Sequence, residues 1–473
     1  MSELIDRYNT LQEKLQAYQQ EHVFSFWNEL DEAQKEQLLA QVESVDLEQL
    51  TTLTKGEDTK QDFEALARNA TPPPSVSADG QGASWSRSDA RERGEDALRA
   101  GQIGAVIVAG GQGTRLGFDQ PKGMFPIGPI SNRTLFQFFA DKVIATQALY
   151  GVKIPLFIMT SEATDADTRD YFESNDFLGL SSDDVVIFRQ GTMPAVDVSS
   201  GRLLLATKDS LALSPDGHGG TVAALDKNGC FQMAKERGIK HLSYIQVDNP
   251  LAHLCEPTLL GHHLLSESEM TTQVIRKRYA NERVGNVVSI DGNVQIIEYS
   301  DLPDTAAEAT DSDGNLRLWA GNIAVHVLDV EFLSRSVQSA EALPFHRALK
   351  KVPYLDPSGA MIQPEQPNAT KFERFIFDLL PQARNAFVAE VLACEGFAPV
   401  KNAEGAATDT ASLARRAISD LHRGWIESAG AVVAPGVQVE INPKIASSPE
   451  ALGQAIPDNL SIDKDLYFDT RLR

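Results

Sequence analysis

Apolar residues recur every three or four positions near the start of the chain. Leu4, Tyr8, Leu11, Leu15 and Tyr18 form one stripe, and a mixed apolar pattern resumes over 42–53. That spacing returns to one face of a 3.6-residue turn and predicts helices over 1–70, with the stripe serving as core or as a partner surface. From 71 to 88 the pattern dissolves into Pro-Pro-Pro, Gly, Ser and Asp, which predicts a linker or a strap across the surface. A helix is expected over 89–100, with Gly101 placed to stop it.

The period then changes. Residues 103–108, Ile-Gly-Ala-Val-Ile-Val, are apolar without alternation, as in a strand covered on both faces of a parallel sheet. Similar runs at 154–160, 185–189 and 241–247 are separated by helix-length stretches, which predicts a doubly wound α/β layer. Residues 287–299 read as a hairpin turning at Asp291-Gly292. Residues 316–327 read as a further strand and 371–392 as helical. The tail reads as helical over 410–429, then as a small β-containing cap rich in Val, Gly and Pro. No internal repeat is visible. The expected division is a helical region 1–100, a main domain 101–392 and a C-terminal region 393–473.

Charge narrows the function. With 43 basic and 66 acidic side chains the formal net charge is −23, which argues against a nucleic-acid or anionic-membrane surface. An anionic substrate is still admissible where a few cations gather in one cleft. Cys230, Cys255 and Cys394 are too few and too scattered for a disulfide framework or zinc cluster, so buried reduced thiols are expected. The opening residues lack the basic-then-apolar pattern of a signal peptide, and no apolar run reaches membrane-spanning length. A cytoplasmic protein is expected.

Candidate chemistry concentrates directly after the first buried strand, in Val108-Ala-Gly-Gly-Gln-Gly-Thr-Arg-Leu-Gly117 and then Pro121-Lys122-Gly123. Ligands of α/β sheets bind beyond the carboxyl ends of strands. Gly110, Gly111 and Gly113 would let backbone approach a phosphate and aim N–H groups at it. Arg115 and Lys122 add positive charge to an otherwise acidic chain. The Walker pattern is absent, and the dinucleotide fingerprint fails because its third glycine position is Leu116.

This loop resembles the signature of eukaryotic-type sugar-nucleotide pyrophosphorylases, and most closely the UDP-N-acetylhexosamine pyrophosphorylase family. The likeness continues in order through Gln190-Gly-Thr-Met-Pro-Ala195, Pro215-Asp-Gly-His-Gly-Gly220, Gln246-Val-Asp-Asn-Pro250 and 294–300. It extends through Ala320-Gly-Asn-Ile323, Lys371-Phe-Glu-Arg-Phe-Ile-Phe-Asp378 and Pro399-Val-Lys-Asn-Ala403. The resemblance implies a central Rossmann-like mixed sheet of nucleotidyltransferase type, with a helical N-terminal region and a small β-containing C-terminal region. It implies uridylyl transfer from UTP to a sugar-1-phosphate, N-acetylglucosamine-1-phosphate foremost, by a monomer or dimer using Mg²⁺ (or Mn²⁺).

The resemblance also implies roles. Arg115 and Lys122 would grip the triphosphate and the departing pyrophosphate, and Ala109, Gly110, Gly111, Gly113 and Thr114 would line the nucleotide. Gln190 would read uracil, with Met193, Pro194, Gly217 and His218 nearby. Asp248 would hold the metal and Lys401 would reach the phosphates. Asn249, Glu298, Asn322, Gly219 and His218 would meet the sugar. One position departs from the pattern. The N-acetylhexosamine enzymes carry asparagine where this chain has His218, whereas the UTP–glucose-1-phosphate enzymes carry Gly-His-Gly-Asp. Glucose-1-phosphate is therefore the alternative sugar substrate. A UDP-sugar-consuming glycosyltransferase or a non-catalytic nucleotide-binding protein fits the Arg115, Lys122 and Asp248 set less well.

The remaining candidates read as structural. His262-His263 falls in a predicted helix without metal spacing. Asp311-Ser-Asp-Gly lacks the further ligands of a calcium loop and reads as a turn. Asp165-Ala-Asp167 reads as the start of a helix.

Overall fold

Ile103–Val108, a six-residue strand with almost every side chain buried, is the spine of the larger of two compact units. The computed structural model describes residues 2–55, 62–339, 343–457 and 460–470. Residues 56–61 of the predicted helical stretch lie outside these. The larger unit comprises Asp62–Arg189, Thr221–Ala342 and Phe377–Arg473, and the smaller Met1–Gln61, Gln190–Gly220 and Leu343–Ile376.

The sheet of the larger unit is mixed. Its order is Ser75–Val76, Phe387–Glu390, Met270–Arg276, Ala320–Asp329, His241–Gln246, Ile103–Val108, Leu156–Thr160 and Val185–Arg189. Pairing is parallel from His241–Gln246 to Val185–Arg189, so the carboxyl ends of these strands share one edge. Ala320–Asp329 runs antiparallel to both its neighbours, which brings its amino end and the end of Met270–Arg276 to that same edge. The hairpin Asn286–Ile290 with Asn293–Ile297 forms as expected, turning where Asp291 and Gly292 have φ of 51° and 82°. Positive φ at both turn residues matches the right-handed twist of the flanking strands.

Local chemistry explains the helix boundaries. Arg87–Arg99 starts on a Ser86–Asp89 capping box, and Gly101 follows it at φ 66°. Gly94 and Gly261 let that helix lie against Pro257–Leu265, because a Cβ on Gly261 would sit 1.5 Å from Ala90 O. Leu135–Tyr150 begins on a Thr134–Gln137 capping box and ends at left-handed Gly151. Ala411–Ser428 forms as expected. Beyond it, two short parallel pairs close a small core of their own around Val439, Ile441 and Phe468.

In the smaller unit, helices Ser2–Ala17, Glu32–Ser44 and Leu47–Lys55 turn their stripes onto one core. Leu15, Leu38, Leu39 and Leu47 pack there with Val196, Leu203, Leu205, Leu211 and Phe372. The N-terminal stripe is thus core. A three-stranded sheet of His346–Lys350, Ala369–Glu373 and Val196–Asp197 completes the unit.

Three expectations are corrected. Residues 371–392 are not one helix: Ala369–Glu373 and Phe387–Glu390 are strands flanking a 3₁₀ stretch, Ile376–Gln382, that contains Pro381. Cross-strand pairing overrides the helical spacing there, and proline removes a helix donor. The 71–88 strap contributes an edge strand, Ser75–Val76, paired with Val388 and Ala389. Cys394 is exposed, whereas Cys230 and Cys255 are buried. Among the described residues no helix is long and apolar enough to cross a membrane.

Candidate active site

The glycine loop is held open by its own backbone. Ala109 N donates to Met159 O at 2.7 Å, Gly113 N to Gln120 O at 2.9 Å and Lys122 N to Gly111 O at 3.0 Å. Ser161 Oγ donates to Gly110 O at 2.8 Å. Among the described residues the N–H groups of Gly110, Gly111 and Gln112 have no protein partner. The two flanking glycines differ in use. A Cβ on Gly111 would meet nothing within 4 Å, as a surface meant for a ligand requires. A Cβ on Gly113 would lie 2.7 Å from Phe118 O, so this glycine closes the loop rather than approaching phosphate. Thr114 and Arg115 sit on the following 3₁₀ turn, exposed, and Arg115 makes no ion pair among the described residues.

Lys122 points back toward the neighbouring strand. Its Nζ is 3.8 Å from Asp248 Oδ2, both side chains being mostly shielded. Asp248 follows the strand His241–Gln246, whose extension is fixed by Val247 N donating to Val108 O at 3.0 Å. Lys401 is brought to the same edge. Val400 N donates to Asp248 O at 2.8 Å, and Lys401 N and Asn402 N donate to Asp409 O at 2.8 and 3.0 Å.

That segment reveals a residue the sequence gave no reason to select. Burial pushes the half-buried Asp409 carboxyl above its usual range, Lys401 and Arg278 pull it down, and Asp248 adds repulsion. Glu282, itself paired with Arg278, adds further repulsion, so three carboxylates and two cations share one field. They come from three separated segments, so no local motif could have announced Asp409 or Arg278. Hard carboxylate oxygens sharing one field are the donor set a Mg²⁺ or Mn²⁺ ion takes.

Glu298 and Asn322 also come together. A Cβ on Gly285 would lie 2.9 Å from Glu298 Oε1 and 3.8 Å from Asn322 Cβ. Asn322 N donates to Gly285 O at 2.8 Å, and Asn322 Oδ1 accepts from Ala324 N at 3.0 Å. Ala324 has φ 55°, at the register shift between the Met270–Arg276 and Ala320–Asp329 strands. Such bulges re-aim a side chain. Asn249, expected at the sugar, has both polar groups of its side chain bonded to backbone. It is buried, with Nδ2 donating to Gly396 O at 2.8 Å and Oδ1 accepting from Ala398 N at 3.0 Å.

The smaller unit holds the other expected residues. Gln190 precedes the pair Thr192–Pro194 and Leu213–Pro215, which carries Met193 and Pro194. Gly217 and Gly219, expected to pass close to a ligand, lie against backbone. A Cβ on Gly217 would sit 2.4 Å from Arg374 O, and Gly219 N donates to that oxygen at 2.8 Å. His218 stacks on Phe375 with centroids 5.3 Å apart and accepts from Ile376 N at 3.3 Å, which places its ring proton on Nε2. Burial, with a contribution from His346, pushes its pKa down to about 4, so the ring is neutral at pH 7.

A loop with open amides at a strand tip, beside a lysine–aspartate pair, is the kind of site nucleotidyl transfer uses, and comparison with known proteins gives the same class. The family model described as UTP–glucose-1-phosphate uridylyltransferase matches residues 75–422, and the chain belongs to this family of UDP-sugar pyrophosphorylases. The UDP-N-acetylglucosamine pyrophosphorylase of Saccharomyces cerevisiae is 39% identical over 76% of this chain and 77% of its own. UDP-N-acetylglucosamine diphosphorylase 2 of Arabidopsis thaliana is 33% identical over 94% of this chain and 91% of its own. The inhibitor-bound crystal structure of the Trypanosoma brucei uridine diphosphate N-acetylglucosamine pyrophosphorylase superposes with TM-score 0.80 at 26% identity. That superposition covers 97% of this chain and 98% of the other.

Proposed function

We propose that the chain joins UTP to N-acetylglucosamine-1-phosphate, releasing pyrophosphate and UDP-N-acetylglucosamine. The observation that carries this reading is Lys122, 3.8 Å from Asp248 and tied through its amide to the open glycine loop. A sugar-phosphate oxygen attacks the α-phosphorus of UTP, and the bond from that phosphorus to the pyrophosphate oxygen breaks. The attacking monoester has a second pKa near about 6, so it arrives deprotonated and needs no base. Charge neutralisation and positioning then carry the rate.

The amides of Gly110, Gly111 and Gln112 cradle phosphate oxygens, and Arg115, Lys122 and Lys401 offset charge that builds on the departing pyrophosphate. Asp248 and Asp409 would hold Mg²⁺ (or Mn²⁺), which would supply further neutralisation of phosphate charge. Glu298 and Asn322 receive the sugar. A cytoplasmic setting belongs to the same proposal, supported by the exposed unpaired thiol of Cys394.

The test is pyrophosphate release by purified protein given UTP, Mg²⁺ and a panel of sugar-1-phosphates. N-acetylglucosamine-1-phosphate should give the highest kcat/KM; no release with any sugar would sink the proposal. Glucose-1-phosphate remains the second reading because of His218. If it holds, His218→Asn should shift the ratio of the two kcat/KM values toward N-acetylglucosamine-1-phosphate, and an unchanged ratio removes His218 from sugar choice.

A further inference from the structure

The edge of the central sheet opposite the glycine loop carries a second constellation. His241 opens the strand whose far end leads to Asp248, and Asp329 ends the antiparallel neighbour, directly across from it. His263 comes from Pro257–Leu265. His241 Nδ1 lies 2.5 Å from Asp329 Oδ1, His263 Nε2 lies 3.0 Å from the same oxygen, and the two ring nitrogens are 3.2 Å apart. Three elements thus aim three possible ligand atoms at one point.

From these contacts we infer a divalent transition-metal site, of the kind zinc occupies, made by His241, His263 and Asp329 and completed by water. Zinc–nitrogen bonds of about 2.0–2.1 Å in a tetrahedron set ligand atoms roughly 3.3 Å apart. The two nitrogens already stand at that spacing, and the partly exposed Asp329 carboxylate needs to withdraw from His241 by about 0.8 Å.

Three further observations support the assignment. His263 Nδ1 is 2.9 Å from the buried Thr271 hydroxyl. An outer partner of this kind orients a metal-bound imidazole and fixes its tautomer. A pocket of about 300 Å³ opens on the three residues, which leaves room for water ligands. Ser268 lines that pocket, and its hydroxyl is buried without a hydrogen-bond partner among the described residues, as a group waiting for a metal-bound water would be.

The ion would be structural, pinning helix Pro257–Leu265 to two sheet strands. It is testable on tag-free full-length protein, titrated with Zn²⁺ against a chromophoric chelator in Mg²⁺-containing buffer. Wild type should take up a single Zn²⁺, at least tenfold more tightly than His241→Gln or Asp329→Asn. Asp248→Asn should retain that zinc, which separates it from any ion at the phosphate edge. Co²⁺ in place of Zn²⁺ should give tetrahedral visible bands in wild type and none in His241→Gln. Circular dichroism checks that each variant folds, and Asp329→Asn, altered at the most exposed ligand, covers failure of the histidine variant. Equal affinity in wild type and Asp329→Asn, or loss of the zinc in Asp248→Asn, would overturn the assignment.

Discussion

Lys122 is placed by backbone. Its amide is bonded to Gly111 O, and at the next residue a Cβ would lie 2.2 Å from the Phe136 ring, so only glycine fits at 123. The Nζ group is therefore delivered beside Asp248 by a turn that side-chain substitution leaves intact. Lys122→Ala should lower kcat about 10²–10³-fold, the usual cost of removing one preorganised transition-state contact. KM for UTP and the circular dichroism spectrum should change little. A kcat within a few-fold of wild type would remove Lys122 from the chemistry. Lys122, Asp248 and the glycine loop each lie in a short contiguous motif, and the fold brings them to one edge of the sheet. Asp409 was not legible, since its significance arises only where 399–410 folds back on Asp248. The two backbone bonds of Asn249 could not be read from its motif, because their partners lie some 150 positions away.

The helix Leu135–Tyr150 shows how one element supports the site from behind. Phe136, Phe138 and Phe139 bury its apolar face. Among them Lys142 donates to Pro250 O at 2.7 Å and to Ala252 O at 2.9 Å, bracing the loop that follows Asp248. Burial pushes the Lys142 amine down to about 7. His253, Glu256 and His422 also act within this interior. The unfolded chain keeps that amine protonated up to about pH 10, whereas the folded chain keeps it protonated only to about 7. Between those values unfolding takes up a proton, so stability rises with pH; below 7 the full cost of a buried charge applies. Lys142→Met should flatten this rise, as urea midpoints at about pH 7.5 and 9.5 would show. An undiminished slope in the variant would place the titration elsewhere. Helix periodicity could not disclose this lysine, because a charged residue in an apolar helix normally reads as its solvent face. The 371–392 region failed in the opposite sense, its apolar spacing serving strands once Pro381 interrupts the turns.

The C-terminal residues look from the sequence like a cap appended to a finished domain, but within the larger unit they are fastened to it by charge. Glu440 is buried, and its carboxylate accepts from Ile130 N at 2.8 Å, Ser131 N at 2.7 Å and Ser131 Oγ at 2.5 Å. A Cβ on Gly128 would lie 2.3 Å from Ser131 Oγ, so the turn is shaped to that carboxylate. Lys444 reaches Asp141 Oδ1 at 3.1 Å, joining Arg133 in compensating a fully buried carboxylate on the helix that carries Lys142. The strand alternation was legible because covered parallel strands are apolar throughout. This fastening was not, since it joins residues some three hundred positions apart through single side chains. Hydrogen bonds to a buried charge each contribute about 1.5–3 kcal/mol, and an unpaired donor costs a similar amount. Glu440→Gln keeps one acceptor oxygen and should destabilise by about 2 kcal/mol, while Glu440→Ala should cost more and strand both amides. Thermal unfolding should follow that order, Ala below Gln below wild type, with kcat at low temperature nearly unchanged in the Gln variant. If both variants melted with wild type, the C-terminal residues would be an independent appendage, and the helix behind Asp248 would be stable without them.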